Sequence, residues 1–235
     1  MTETTARAWR VVLDRIEGDL LDGTLQPGDR LPPERELATT LGVGRSSVRE
    51  ALRVLEVMGL IRTATGSGPK AGAIIIGTPT GGLSALLRLQ VAAQSFEIED
   101  VVRTRVALES AVVETLAQAD TRDLAEVHRL LEIMDAAALS VEEFVALDAQ
   151  LHLALAEACD NGVMTAMMAG LRDAIEGYVV SGTERIPDWA EASARLRHEH
   201  REVVSAIELG HADAARHLIA DHILGYFASV STARS

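Results

Sequence analysis

The tightest constraint on the fold is a pair of short amphipathic segments joined by Leu41-Gly42-Val43-Gly44 and followed by glycine-punctuated β-type stretches. The first segment opens at Leu31-Pro32-Pro33-Glu34, where proline suits a helix start because its missing N–H would be unpaired there anyway. It carries Leu37, Ala38 and Leu41 inward and stops at Gly42. The second runs from about Arg45 to Met58 with Val48, Ala51, Leu52 and Leu55 on one face, and Gly59 ends it. A preceding helix over about 5–22 places Trp9, Val12, Leu13, Ile16 and Leu20 on one stripe before Gly23. Leu60–Ala64, the turn Thr65-Gly66-Ser67-Gly68-Pro69, and Ala73–Ile76 read as strand, turn, strand. Helix, turn with glycine, helix and hairpin together predict a winged helix-turn-helix over residues 1–77.

Gly77-Thr78-Pro79-Thr80-Gly81-Gly82 predicts a linker, assigned to 78–82. Beyond it, residues 83–235 show no strand signal. Amphipathic helices are predicted at about 83–93, 98–119, 122–137, 141–158, 162–182, 188–209 and 212–230. Thr121 precedes one of them, Ser140 with Glu143 reads as a capping box, and Gly210 follows another. The fold class is therefore mainly α, with the winged domain followed by an antiparallel bundle of six to seven helices. Only 3% of residues are aromatic, so the core is aliphatic. Cys159 is the only cysteine, which excludes an internal disulfide and fits a reducing cytoplasm. The polar stretch Met1–Trp9 is no signal sequence, and no apolar run approaches the ~18 residues of a membrane span.

A net charge of −13 would oppose binding to phosphates, but its distribution removes the objection. Residues 1–70 hold ten Lys/Arg and ten Asp/Glu, so the whole acidic excess lies beyond them. That arrangement orients the neutral part toward nucleic acid. A recognition helix needs its first residues free for base edges and phosphates. Arg45 and Arg49 are one turn apart, and Ser46 and Ser47 add hydroxyls suited to guanine edges and phosphate oxygens. Arg35 starts the preceding helix beside that face, and Thr65, Gly66 and Lys70 of the hairpin turn reach toward the adjacent groove or backbone. The alternative for any one arginine is a solvated ion pair with Glu34, Glu36, Glu50 or Glu56.

Helical spacing also sorts the seven histidines. Asp148 and His152 are four apart at the border of a face carrying Leu147, Leu151 and Leu155. His200 shares a face with Leu196, Val203, Val204 and Ile207, and His222 with Ala215, Leu218, Ile219 and Tyr226. His128, His198, His211 and His217 fall on outward positions, while Met164, Met167 and Met168 read as bundle packing. One carboxylate and three imidazoles on three inward faces suit Zn²⁺, or Ni²⁺ or Mn²⁺ with added waters, with a position left for an exogenous ligand. The competing reading makes each an ordinary core histidine.

The segment "GTLQPGDRLPPERELATTLGVGRSSVREALRVLEVMGLI" resembles the DNA-binding domain of the GntR family of bacterial regulators. One departure is Gly44, where that family usually has Ser or Thr. The stretches "RTRVALE", "FVALDAQLHLALAEACDN", "EHREVVSAIELG" and "AARHLIADHI" resemble, in order, the FCD-type ligand-sensing domain of the FadR subfamily. In its metal-binding branch the matching positions hold a divalent metal, which implies Asp148, His152, His200 and His222 as ligands. The resemblance also implies Arg105 as a clamp for an effector carboxylate, with Arg172 as a second candidate. Arg105 can equally pair with Glu109 one turn on. "TATGSGPKAGAIII" and "PDWAEASARLRHEHREVV" are similar to lactate-utilisation regulators of this subfamily.

The expectation is thus a homodimer that binds a double-stranded operator, most simply as a repressor, and responds to a small organic acid such as L-lactate. Two alternatives stay open. The metal ion could itself be the signal. A metal-dependent enzyme fused to a DNA-binding module is the other, although Glu157 lies more than a turn beyond His152 and no other general base is evident.

Overall fold

A computed structural model of the chain describes residues 2–64, 72–77, 82–93, 96–136, 139–183, 186 and 188–231. It divides the chain into two compact units, Met1–Leu83 and Ser84–Ser235.

In the first unit the order is α1 (Thr2–Leu21), α2 (Glu34–Leu41), α3 (Arg45–Val57), β1 (Ile61–Ala64) and β2 (Gly72–Ile75). Val12 and Ile16 of α1 meet Leu37 and Ala38 of α2 and Val48, Ala51, Leu52 and Leu55 of α3 in one buried cluster. The apolar stripes of the three helices are thereby used up against one another. Pro33 precedes α2 as its N-cap, and Gly42 ends it at φ 65°, donating its N–H to the Ala38 carbonyl. Only glycine adopts that left-handed conformation without a steric penalty, which is why the helix stops there. β1 and β2 pair antiparallel with Ile61 opposite Ile75, and both side chains seal the cluster. The hairpin turn and the linker lie outside the described residues, except that Gly82 already belongs to the next helix.

The remaining elements are all helical: α4 (Gly82–Ala92), α5 (Ile98–Gln118), α6 (Ala125–Ala136), α7 (Val141–Ala158), α8 (Gly162–Thr183), α9 (Trp189–Glu208) and α10 (Ala212–Ser231). Five of them, α5, α6, α7, α9 and α10, supply most of an aliphatic core that includes Val112, Leu116, Leu130, Leu151, Leu196, Ile207 and Ile219. Met168 of α8 is buried in this core and Met164 packs against it, as packing residues would. Ser140 and Glu143 form the expected capping box, each side chain accepting from the other's backbone N–H at 3.2 and 2.8 Å. That cap fixes where α7 starts, and hence the depth at which its later turns reach the core.

One expected boundary moves. Thr121 does not cap α6, which begins at Ala125, whose N–H bonds to the Asp123 carboxylate at 3.0 Å. Arg122 is drawn away, donating to the backbone carbonyls of Ile207 and Ala117 at the ends of α9 and α5.

Candidate metal centre and nucleic-acid interface

In the first unit, Gly44 caps α3 with extended backbone (φ −70°, ψ 147°) and no side-chain hydrogen bond. Its carbonyl receives the N–H groups of Ser47 and Val48, so this helix start relies on backbone alone. Arg45, Ser46 and Arg49 are exposed on α3, and Arg35 is exposed on α2. Ser47 departs from the expected outward set: it is 4% exposed, buried beside Val48. At about 100° per residue it is rotated from the exposed face of Arg45 and Arg49 into the core face. Arg49 donates to Glu34 at 3.1 Å, joining α3 to α2. Both partners are exposed, so the pair contributes little to stability and a phosphate oxygen can replace the carboxylate. Thr65, Gly66 and Lys70 lie outside the described residues.

Among the described residues the second unit buries four titratable side chains that chemistry must account for: Glu109, His152, His200 and His222. α7 brings Asp148 and His152, one turn apart; α9 brings His200; α10 brings His222. Asp148, His152, His200 and His222 each offer one ligand atom, and those atoms all lie within 4.8 Å of one another. His200 Nε2 is 3.1 Å from Asp148 Oδ1 and 3.2 Å from His222 Nε2. The His152 and His222 rings stack with centroids 5.3 Å apart, and the His200 and His222 centroids are 4.5 Å apart. These are the sequence-derived metal candidates, and the fold brings all four together.

Two further carboxylates stand behind them. Glu109 of α5 places Oε2 2.5 Å from His152 Nδ1, and its Oε1 accepts from Arg105 Nε. Glu199 of α9 places Oε2 2.8 Å from His222 Nδ1. The spacing of α5 held a sign of Glu109's place, because it shares a face with Val102, Val112, Val113 and Leu116. A glutamate among core positions must be paired.

Electrostatics follow from this packing. Burial opposes ionisation of Glu109, yet Arg105 and His152 outweigh it and hold the carboxyl at about 2. Asp148 likewise stays well below the usual carboxylate range, since the His200 hydrogen bond and the surrounding imidazoles overcome its desolvation. Burial, with His200 close by, depresses His222 to about 4, so it is neutral at physiological pH.

A cation fits this donor set. Nitrogen and carboxylate ligands converge, the neutral His222 offers a lone pair, and His152 Nε2 is a buried polar atom with no hydrogen-bond partner among the described residues. Such an orphan normally signals a missing ion or water. The proposed effector arginines are placed differently. Arg105 is in the ion pair with Glu109, largely buried at 15% side-chain exposure. Arg172 of α8 has a buried Nε without a partner among the described residues. His128, His198 and His217 are exposed on their helices, and His211 is exposed between α9 and α10.

Comparison with known proteins covers both units. Residues 10–70 match the model of bacterial regulatory proteins of the gntR family, and residues 100–225 match the FCD domain. The Glc operon transcriptional activator of Escherichia coli (strain K12) is 28% identical over 91% of this chain and 85% of its own length. A protein of the same strain, named provisionally as the regulator of an L-lactate dehydrogenase operon, is 29% identical over 90% and 82%. The HTH-type transcriptional regulator LutR of Bacillus subtilis (strain 168) is 29% identical over 88% and 96%. Among solved structures, a GntR protein of Streptococcus agalactiae superposes with a TM-score of 0.61 at 26% identity, covering 95% of this chain and 97% of that one.

Proposed function

Since this chain belongs to the FCD-domain branch of the GntR family of bacterial transcription regulators, and so is a regulator rather than an enzyme, we propose that it is a metal-dependent, acid-responsive repressor. Arg35, Arg45, Ser46 and Arg49, with Thr65, Gly66 and Lys70 of the hairpin turn, contact a double-stranded operator. Two copies bind as a homodimer, so that paired helix-turn-helix units meet a two-fold operator in the cytoplasm.

The observation that carries the sensing half of this reading is the convergence of Asp148, His152, His200 and His222 around an unpartnered His152 Nε2. Those four residues would hold a divalent ion, Zn²⁺ by donor type, which supplies a Lewis-acidic point for a carboxylate oxygen. Arg105, beside Glu109, meets the remaining carboxylate oxygens of the effector, with Arg172 as the second cation. The effector is a small hydroxy acid, L-lactate, in keeping with the name of one relative. By linkage, an acid that lowers operator affinity is itself bound more weakly, by the same factor, in the DNA complex.

The test is fluorescence anisotropy of the Zn²⁺-loaded chain on DNA from upstream of its own gene. Specific, salt-dependent binding relieved by L-lactate but not by acetate is expected, and Arg105→Ala should lose the relief while keeping the DNA affinity. Binding indifferent to lactate would remove the effector; no specific binding would remove the operator from this DNA.

A further inference from the structure

Behind the four metal-directed side chains the same local arrangement occurs twice. On α5, Arg105 lies one turn before Glu109; on α9, Arg195 lies one turn before Glu199. In each pair one carboxylate oxygen faces the arginine and the other faces a histidine of a different helix. Glu109 joins Arg105 Nε to His152 Nδ1. Glu199 joins Arg195 Nε, at 3.7 Å, to His222 Nδ1, at 2.8 Å.

We propose that these two Arg-x-x-x-Glu pairs are positioning elements of the metal centre, presetting His152 and His222 as Nε2 ligands and leaving His200 as the exchangeable one. The proposal rests on reading Asp148, His152, His200 and His222 as metal ligands. A neutral imidazole carries one N–H, and which nitrogen bears it is decided by the partner of the other. With Nδ1–H donated to a carboxylate, Nε2 must present a lone pair, and Nε2 faces the cluster in both: that of His152 is 3.9 Å from Asp148 Oδ2 and that of His222 3.2 Å from His200 Nε2. A carboxylate behind a ligating histidine also fixes the ring orientation. An arginine on its far oxygen stops that carboxylate from turning away.

The two relays differ in strength. Arg105 and Glu109 are 15% and 4% exposed at the side chain, whereas Arg195 and Glu199 are 47% and 25% exposed. Solvent competes for the second pair, so Glu109 holds its histidine more firmly than Glu199.

His200 has no such support. It is 2% exposed, and its Nδ1 is buried without a partner among the described residues. Its Nε2 faces Asp148 Oδ1 and His222 Nε2 instead. Because His222 Nε2 presents a lone pair, the proton between the two rings sits on His200 Nε2. To ligate through Nε2, His200 must shift that proton to its own Nδ1, and the Nδ1–H so formed is buried without an acceptor among the described residues. An unmatched buried donor weakens this one ligand relative to the other two.

Two measurements on the full chain test this. Histidine ¹⁵N–¹H correlation spectra of the metal-free protein should show Nδ1–H at His152 and His222 and Nε2–H at His200. Titration with Zn²⁺ against a competing chelator should show Glu109→Gln weakening binding about 10–100-fold, and Glu199→Gln by a smaller factor. His200→Ala should lose less affinity than His152→Ala. Should Glu109→Gln fail to fold because Arg105 loses its partner, the more exposed Glu199→Ala still decides: with no side-chain acceptor left at that position, the Nδ1–H signature of His222 must be lost. An Nε2–H tautomer at His152 or His222 in the unaltered chain overturns the proposal. So does Zn²⁺ affinity unchanged in both glutamine variants. A chain that binds no divalent ion would sink the underlying ligand reading, an outcome distinct from tight binding indifferent to Glu109 and Glu199.

Discussion

Withdrawing the metal should destabilise the second unit and leave the first untouched, and the two tryptophans allow each to be followed alone. Trp9 packs against the core of the first unit, and Trp189 stands edge-on to Phe144 in the second, ring centroids 5.4 Å apart. These are the only tryptophans, so Trp9→Phe leaves Trp189 as sole reporter and Trp189→Phe leaves Trp9. The metal-free centre keeps three imidazoles at 4% exposure or less, with His152 Nε2 and His200 Nδ1 unpaired. An ion that binds only the folded chain, at one hundred times its Kd, adds about 2.7 kcal/mol of stability. For a unit the size of Ser84–Ser235, 1 kcal/mol moves Tm by roughly 2–4 °C, so the Trp189 transition should rise by about 5–11 °C. The assay is thermal unfolding at neutral pH by tryptophan fluorescence, comparing Zn²⁺ with excess chelator in each variant. An unmoved Trp189 transition would refute the buried centre as the ion's site. Equal shifts of both reporters would do so as well, since they would mark general binding to surface carboxylates.

Three other outcomes follow from particular residues. Phe144 is 1% exposed and lies under the Arg197 guanidinium, 5.3 Å from its ring centroid, so Phe144→Ala should cost about 3–5 kcal/mol in urea unfolding followed at Trp189; a loss below 1 kcal/mol would contradict its place in the core. Gly44→Ser should stabilise the first unit by a few tenths of a kcal/mol, because φ is −70°, the added Cβ meets only Ser46 Oγ at 3.5 Å, and its hydroxyl supplies the missing cap; destabilisation of the Trp9 transition would show that the site is strained. Arg45→Ala should lower the slope of log K against log salt for operator binding by about 0.9, the loss of one phosphate contact, and an unchanged slope would place Arg45 off the backbone.

Much of the fold was legible because its signals are local. The span of α7 follows from its Ser140–Glu143 cap and its apolar spacing, and α2 and α3 are bracketed by Pro33, Gly42 and Gly44. The inward faces of His152, His200 and His222 were legible for the same reason: a residue's angular position depends only on the turns of its own helix. Thr121 misled because capping propensity says nothing of competition, and the Asp123 carboxylate two residues on takes the first N–H of α6. Ser47 misled because a hydroxyl near a helix start was weighed by type, while its rotation put it beside Val48 in the core.

By itself, the sequence determined the two-part organisation, the helical faces and the set of residues able to meet in the bundle, since periodicity and caps act over a few residues. Only the tertiary structure decided which side chains join one another across it. Glu109 meets His152 from 43 residues away and Glu199 meets His222 from 23, contacts set by the relative height and rotation of packed helices. The Arg105–Glu109 pair is an i,i+4 contact already offered by the spacing of α5, but only the packing joined it to His152, and so tied the arginine expected at the effector to the metal-directed histidine. No pattern within a single helix encodes those heights; they come from how the apolar faces of α5, α7, α9 and α10 interlock.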